Sequence, residues 1–433
     1  MRFLLHGFHP ILQEKLSKKV NSVLTISDKN RADFSILEIN HDPFSFNLEE
    51  FNFKEYIKFY LFAKNEFPRF CDIYSRNFLN GGISQNDYEN FFSQMCKIAI
   101  FLRSKFSFNY VLFSNIPHEG FDWVLYKLVQ FYNIKYLVTY DSVFPNKFYI
   151  SSNLETIFKQ DKKNDDVLIL PPNRKLEVEK PFYMKSTFRG GLLKRKIVLI
   201  KCYIKNPKLF IDDVISYVKN ILYKIRYNLI KSNVADLENI RYVYFPLHFQ
   251  PELATTSLAD EFSDQLLAIE ALRGIVPSEI KILVKENPIQ GSFKRSATFF
   301  KRIKTIKNVD LISIKISTID LTKNSLFVST LNGTAAFEAI KLNKPALVFG
   351  NPWYQSLPGI FRYDNSNLSQ LFNKIMTFKG DSNLGTLIEI HKNGLLDGFV
   401  DIDYFGNLES KIRLNDGYEI TANSLYNFII SGS

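Results

Sequence analysis

The stretch Ser325–Asn351, SLFVSTLNGTAAFEAIKLNKPALVFGN, is where independent sequence rules converge on one structure: strand, tight turn, helix, strand. Leu326, Phe327 and Val328 form a short apolar run. Asn332-Gly333 is a turn signal, and Ala335 to Ile340 are helix formers with Ala336, Phe337 and Ile340 on one side. Lys344-Pro345 stops that helix, and Ala346 to Phe349 runs on as a second buried strand closed by Gly350. In such a unit the helix N-terminus presents unpaired N–H groups at the carboxyl edge of a sheet, and Ser329, Thr330 and Thr334 add hydroxyl donors beside them. The pattern reads as an anion socket. Glu338, four residues past Thr334, lies one turn in on the same helix face, where a carboxylate accepts from sugar or ribose hydroxyls. The same pattern also suits a capped helix in a buried α/β layer with a surface glutamate.

Working outward, 433 residues allow two or three domain-sized units, and alternating strand and helix patterns argue an α/β class. The formal charge of +11 favours an acidic partner: nucleic acid, anionic lipid, or a phosphorylated or carboxylated substrate. Nucleic acid is set aside, because the lysines are scattered and neither a dense basic block nor an RNP-like motif occurs. Cys71, Cys96 and Cys202 are odd in number and widely spaced, which reads as a reduced, cytoplasmic protein. The start, MRFLLHGFHPILQEK, is too quickly interrupted for a signal peptide, and no segment reads as a membrane span. Any membrane contact is therefore expected to be peripheral, on the inner face of the cytoplasmic membrane.

In chain order, Arg2–Gly7 reads as a strand, Ile11–Val20 as a helix and Ser22–Ile26 as a strand; residues 48–106 are mainly helical. Tyr110–Phe113 is a strand that runs into Pro117-His118-Glu119-Gly120. A helix, Phe121–Tyr132, and a strand, Lys135–Tyr140, lead to Asp141. Residues 151–194 lose periodicity. Pro207–Lys231 reads as a long amphipathic helix with Asn206 as N-cap, either structural or touching anionic lipid. A second domain opens with the strand Tyr242–Phe245 before HFQPE, the helix Leu258–Leu272, the strand Lys281–Val284 before KENP, the helix Phe293–Ile306, and the strand Leu311–Ile316. The expected division is 1–165 as an acceptor-side domain, 166–240 as linker and long helix, 241–415 as a nucleotide-sugar domain, and 416–433 as a helix returning to the first domain.

Three strand ends of the second domain thus carry polar sets. His248, Gln250 and Glu252 follow the first, Lys285, Glu286, Asn287 and Pro288 the second, and Ser329, Thr330, Asn332, Gly333, Thr334 and Glu338 the third. Ligands of open α/β sheets bind at that edge. Lys285 and the helix end suit phosphate, and His248, Gln250, Glu252 and Glu338 suit base, ribose or sugar. Singly, the histidine also reads as a satisfied structural residue and KENP as a turn.

These residues resemble a known family. PHEGFDWVLYKL at 117–128, YDSVFPNKFYI at 140–150, YFPLHFQPE at 244–252, KENP at 285–288 and LFVSTLNGTAAFEA at 326–339 look like the bacterial capsule polysaccharide synthesis family. That family is similar to the Kdo transferases of capsule and lipopolysaccharide assembly. The resemblance implies a GT-B-like α/β fold, two Rossmann-like domains facing a central cleft, and a CMP-activated sugar acid as donor, with no cofactor. It also implies that His248, Gln250, Glu252, Lys285, Asn287, Pro288, Ser329, Thr330, Gly333 and Glu338 line the nucleotide-sugar side. Bacterial sialyltransferases are a looser parallel, with His118 here where their signature has an acid and Asn287 where it has a histidine.

A sugar acid linked to CMP leaves a phosphate monoester, so the site must stabilise charge on one phosphate while an acceptor hydroxyl loses its proton. A helix N-terminus, hydroxyls and Lys285 suit the first task without a metal. Asp141, Glu119 and His118 are the first-domain candidates for the second, and Asp141 also suits a double displacement as nucleophile. Asp401-Ile-Asp403 has the form of a metal-binding pair but lies far from the strand-end motifs, and no metal site is expected. The expected acceptor is a glycan or glycolipid. A CDP-polyol phosphotransferase, a sugar-nucleotide epimerase and a non-catalytic glycan-assembly protein are the competing readings.

Overall fold

A computed structural model describes residues 1–27, 32–48, 52–78, 84–158, 207–234, 236–401 and 414–431. Two sheets organise it. In the first, β1 (Phe3–His6), β2 (Ser22–Ser27), β3 (Phe34–Ser35), β4 (Tyr110–Phe113), β5 (Lys135–Asp141), β6 (Lys147–Ser151) and β13 (Leu396–Asp397) lie in the order β13-β6-β5-β4-β1-β2-β3. Neighbours from β3 to β5 are parallel, and β6 and β13 add antiparallel. The second sheet holds β7 (Tyr242–Pro246), β8 (Lys281–Lys285), β9 (Val309–Ile312), β10 (Val328–Thr330), β11 (Ala346–Val348) and β12 (Ile360–Arg362). Its order is β12-β11-β10-β7-β8-β9, parallel throughout. Both domains therefore share the doubly wound arrangement in which strand order reverses beside the first strand, at β1/β4 and at β7/β10.

Alternation along the strands assigns the cores. Val243, Phe245, Ile282, Val284 and Phe327 face one helix layer, while Tyr244, Leu283, Val328 and Val348 face the other. That second face is continuous with the core around Leu4, Val111, Phe113 and Val138 of the first domain. The far side of the first sheet, with Leu5, Leu112 and Leu137, is covered by α1 (Pro10–Ser17) and by the C-terminal helix Leu414–Ser431, through Tyr418, Ala422 and Leu425. Lys15 Nζ lies 2.7 Å from Glu419 Oε2 across that pair of helices.

The chain leaves the second domain earlier than the expected limit of 415. Leu396 pairs with Phe148 and Asp397 with Lys147, so these two residues already belong to the first sheet. Two residues are too short a strand to carry any periodicity, which is why the return is invisible in the sequence. The helix expected at Leu258–Leu272 instead runs from Gln265 to Ile275, with a short turn of helix at Leu253–Thr256 before it. Thr318–Asn324 is a further helix, lying directly after the stretch read as a long strand. Asn206, Asp403 and most of the expected linker lie outside the described residues.

Candidate active site at the facing strand ends

The crevice of the second domain opens where β7 and β10 diverge, and two side chains from those ends meet there. His248 Nε2 and Thr330 Oγ1 are 2.9 Å apart. Gln265 clamps the histidine backbone from both sides, accepting from His248 N at 2.7 Å and donating to its carbonyl at 3.1 Å. Burial draws the imidazole pKa down to about 4, so the ring is neutral at pH 7. Gly333 lets the chain turn against this pair: a Cβ there would lie 2.9 Å from Thr330 Oγ1 and 3.1 Å from His248 Cε1. Gly333 then opens the helix Thr334–Lys341, and no side chain caps it. Tyr354 donates its hydroxyl to the Gly333 carbonyl. Thr334 Oγ1 donates to Glu338 Oε1 at 3.3 Å, and burial holds the Glu338 carboxyl above the usual carboxylate range. Asn332 donates to the Ala254 carbonyl at 2.8 Å, while its Oδ1 is buried without a hydrogen-bond partner.

Several expected ligand residues are turned inward. Ser329 cannot share a face with Thr330, because adjacent strand side chains alternate; its Oγ is fully buried and unpartnered. Lys285 Nζ donates to the Ile316 carbonyl at 2.6 Å and to Thr318 Oγ1 at 2.9 Å, and its burial lowers its pKa. It ties β8 to the start of the helix Thr318–Asn324 instead of facing a phosphate. Glu286 accepts from Arg295 Nε at 2.6 Å, and both side chains have no exposed surface. Gln250 is used at both ends, Oε1 accepting from Arg295 and Nε2 donating to the Ser263 carbonyl, each at 2.9 Å or less. Asn287 Oδ1 accepts from Ile289 N at 3.1 Å and Pro288 is exposed, so KENP is a turn built over a buried ion pair. The partners Arg295, Ile316 and Thr318 are distant in sequence, so strand-end position alone misplaces these side chains.

Across the cleft, the loop after β4 is organised by Asp122, which sequence reading passed over. Its carboxylate accepts from the backbone N–H groups of His118, Glu119, Gly120 and Trp123, at 2.6 to 2.9 Å. An acid in the first turn of the helix Phe121–Phe131 is the signal that was available. Gly120, at φ +128°, is a second requirement: a Cβ there would lie 2.6 Å from the Tyr74 ring. The loop so held presents His118. Its Nδ1 lies 2.5 Å from the Ile116 carbonyl, which only accepts, so Nδ1 carries the proton and Nε2 the lone pair. Burial, with the Arg76 charge, brings this imidazole to about pKa 4 despite Asp122. Glu119 Oε1 stands 3.8 Å from Nε2.

The two walls are joined at their rims. Ser257 Oγ donates to the Pro117 carbonyl at 2.8 Å, and Lys294 Nζ reaches Asp72 Oδ1 at 2.5 Å. Arg76 donates to the His118 carbonyl at 3.4 Å and stabilises the charge of Glu252, whose carboxyl is otherwise raised by its crowded surroundings. Glu252 nevertheless keeps exposed surface, as a side chain lining a cleft does. Burial, and after it the charges of Glu252 and Asp141, push the Tyr140 hydroxyl of the opposite wall up to about 12. His118, Arg76, Tyr140 and Glu252 therefore form one polar group spanning the cleft. Arg76 had no signal in the sequence, whereas Tyr140 opens the motif at 140–150.

The Asp141 carboxylate is committed elsewhere. Its Oδ1 accepts from Val400 N and its Oδ2 from Asp401 N, both at 2.8 Å, on the face of β5 that meets the C-terminal helix. Burial raises its pKa to about 7 against the pull of those two donors. Instead of facing an acceptor, Asp141 clasps the returning chain. Asp141→Ala should speed amide exchange at Val400 and Asp401 and cost about 1.5–3 kcal/mol per lost charge-assisted bond; unchanged exchange there would show that the clasp holds nothing.

Among the described residues, no three His, Cys, Asp or Glu side chains are grouped to hold a metal. A cavity of about 620 Å³ lies at the amino ends of β4 and β5, lined by Tyr110, Lys135 and Phe428, at the opposite edge from these motifs.

Residues 203–374 match the capsule polysaccharide biosynthesis protein family. The match covers β7 to β12, and with them the His248–Thr330 crevice, and it bears out the resemblance drawn from the motifs. No curated protein matches the chain. Among solved structures, a KpsC beta Kdo 2,7 transferase from Thermosulfurimonas dismutans is 12% identical over 82% of this chain and 95% of its own, with a TM-score of 0.34. The beta Kdo 2,4 transferase of the same KpsC is 12% identical over 59% and 73%, with a TM-score of 0.30. A UDP-GlcNAc 2-epimerase from Methanocaldococcus jannaschii is 13% identical over 90% and 99%, with a TM-score of 0.27. At such scores these likenesses carry no argument about site or substrate. The capsule-family segment thus holds the crevice wall with His248, Thr330 and Gly333, and the loop with His118 lies outside it.

Proposed function

We propose that this protein is a metal-independent glycosyltransferase that moves a CMP-activated ulosonic acid, Kdo or a relative, onto a growing surface glycan or glycolipid. The observation that carries the reading is the crevice at β7/β10, inside the capsule-family segment, where His248, Thr330 and an uncapped helix start meet. Such a helix start favours the phosphate of CMP, and it favours it more as the leaving group gains charge. Thr330 supplies a hydroxyl donor when His248 Nε2 carries the proton of their contact. Arg76, the cation of the polar group across the cleft, suits the carboxylate that distinguishes a sugar acid from a neutral sugar. His118 Nε2 takes the acceptor's proton as the acceptor oxygen bonds to the anomeric carbon and the bond from that carbon to the CMP phosphate oxygen breaks. The products are the extended glycan, CMP and a protonated imidazole that returns its proton to solvent.

The test is turnover. With CMP-Kdo and a capsule oligosaccharide acceptor, CMP should be released in step with acceptor extension, and a chelator should not slow it. Release from a UDP sugar instead, or conversion of a UDP sugar without an acceptor, would replace this reading by the epimerase one.

A further inference from the structure

The helix Pro207–Ile230 carries two apolar faces, and only one of them is used. Its inner face is locked to the second domain: Asn220 Oδ1 accepts from Ser292 N at 2.8 Å, and the Tyr227 hydroxyl donates to the Ile312 carbonyl and accepts from Ile314 N, both at 2.8 Å. Tyr223 packs on Phe300 with ring centroids 6.0 Å apart. Those contacts fix the rotation of the helix and turn the other face outward. Ile211, Val214, Val218, Ile221, Ile225 and Leu229, at spacings of three and four, then share one stripe and are 41% to 78% exposed. An unbroken aliphatic stripe of this length is not ordinary surface.

Charge decides what covers it. From Val214 to Lys231 the sequence holds no Asp or Glu. At about 100° per residue, Lys219 and Arg226 border the stripe on one side and Lys224 and Lys231 on the other. Two copies facing in parallel through this stripe would bring like charges together along both borders, and each chain carries a formal +11. A surface that is apolar beneath and anionic above satisfies both features at once. We infer that the outer face of Pro207–Ile230 docks on an anionic lipid bilayer, lying in its interface with the aliphatic stripe down and the basic borders on the headgroups. Among the described residues no helix is long and apolar enough to cross a membrane, so the contact is peripheral. The inference stands whether or not the donor is a CMP sugar.

The test uses the full chain with vesicles of phosphatidylcholine alone and of phosphatidylcholine with phosphatidylglycerol. The protein should sediment with the anionic vesicles at low salt and much less with the neutral ones. Lys219→Gln with Lys224→Gln should weaken the partition roughly thirtyfold, at about fivefold per basic residue. Val218→Glu with Ile225→Glu should abolish it while leaving the melting temperature within a few degrees. The inference falls if the wild-type chain ignores anionic vesicles or the Glu variant still binds them. It falls equally if the wild type is a dimer that the Glu variant splits, which would make the stripe an interface between copies. A Glu variant that is grossly destabilised would mean that the chain's own residues cover the face.

Discussion

Arg295→Met should destabilise the second domain by about 3–5 kcal/mol, because it leaves the Glu286 carboxylate buried without its counter-ion. Neither side chain has exposed surface, and Arg295 reaches Glu286 Oε2 at 2.6 Å and Oε1 at 3.2 Å. The same guanidinium donates to Gln250 Oε1 at 2.9 Å and to the His248 carbonyl at 3.4 Å. One side chain thus holds together the loops that follow β7 and β8, and the position of His248 depends on it. Urea unfolding of the single variant measures the loss. A second variant separates the pair from its surroundings: Arg295→Met with Glu286→Leu should recover most of the stability, since the costly element is the orphaned charge and not the absence of the pair. A single variant within about 1 kcal/mol of wild type would mean that the pair does not hold the two loops together.

His118→Ala should lower turnover by at least about a hundredfold, the usual consequence of losing a general base, while leaving CMP affinity unchanged. The backbone of the loop does not depend on the imidazole, since Asp122 grips the N–H groups of residues 118 to 120. Loss of fold is therefore not expected. Steady-state kinetics beside nucleotide titration provide the split: a reduced kcat with intact CMP binding places His118 at the chemistry. A variant that transfers sugar at a near-normal rate would move the base to Glu119.

Much of the architecture was legible because its signals are local. In Ser325–Asn351 an apolar run, an Asn-Gly turn, a short amphipathic helix and a Lys-Pro stop correspond to β10, the helix Thr334–Lys341 and β11, shifted by no more than two residues. What was not legible depends on contacts between distant residues. The strand Leu396–Asp397 exists only because Phe148 and Lys147 offer it an edge. The same distinction runs through the site. That polar residues gather after β7, β8 and β10 could be read from strand ends, yet whether each faces the cleft is decided by partners that no local pattern names. His248 and Thr330 find each other across 82 positions, whereas Lys285 turns to Ile316 and Thr318. Strand alternation turns Ser329 away from Thr330, so of the two hydroxyls only that of Thr330 meets His248.

In the proposed function a nucleotide seats where β7 and β10 part, against His248, Thr330 and the helix that Gly333 opens. Calorimetric titration of CMP into the wild-type chain and into Gly333→Val tests it most directly, because valine's Cβ would crowd Thr330 Oγ1 and the His248 ring, 2.9 Å and 3.1 Å from its position. Wild type should bind CMP in preference to UDP, and the variant, still folded, should bind it at least about tenfold more weakly, a loss of roughly 1.4 kcal/mol. Equal CMP affinity in the two proteins, or a wild type that prefers UDP, would contradict it.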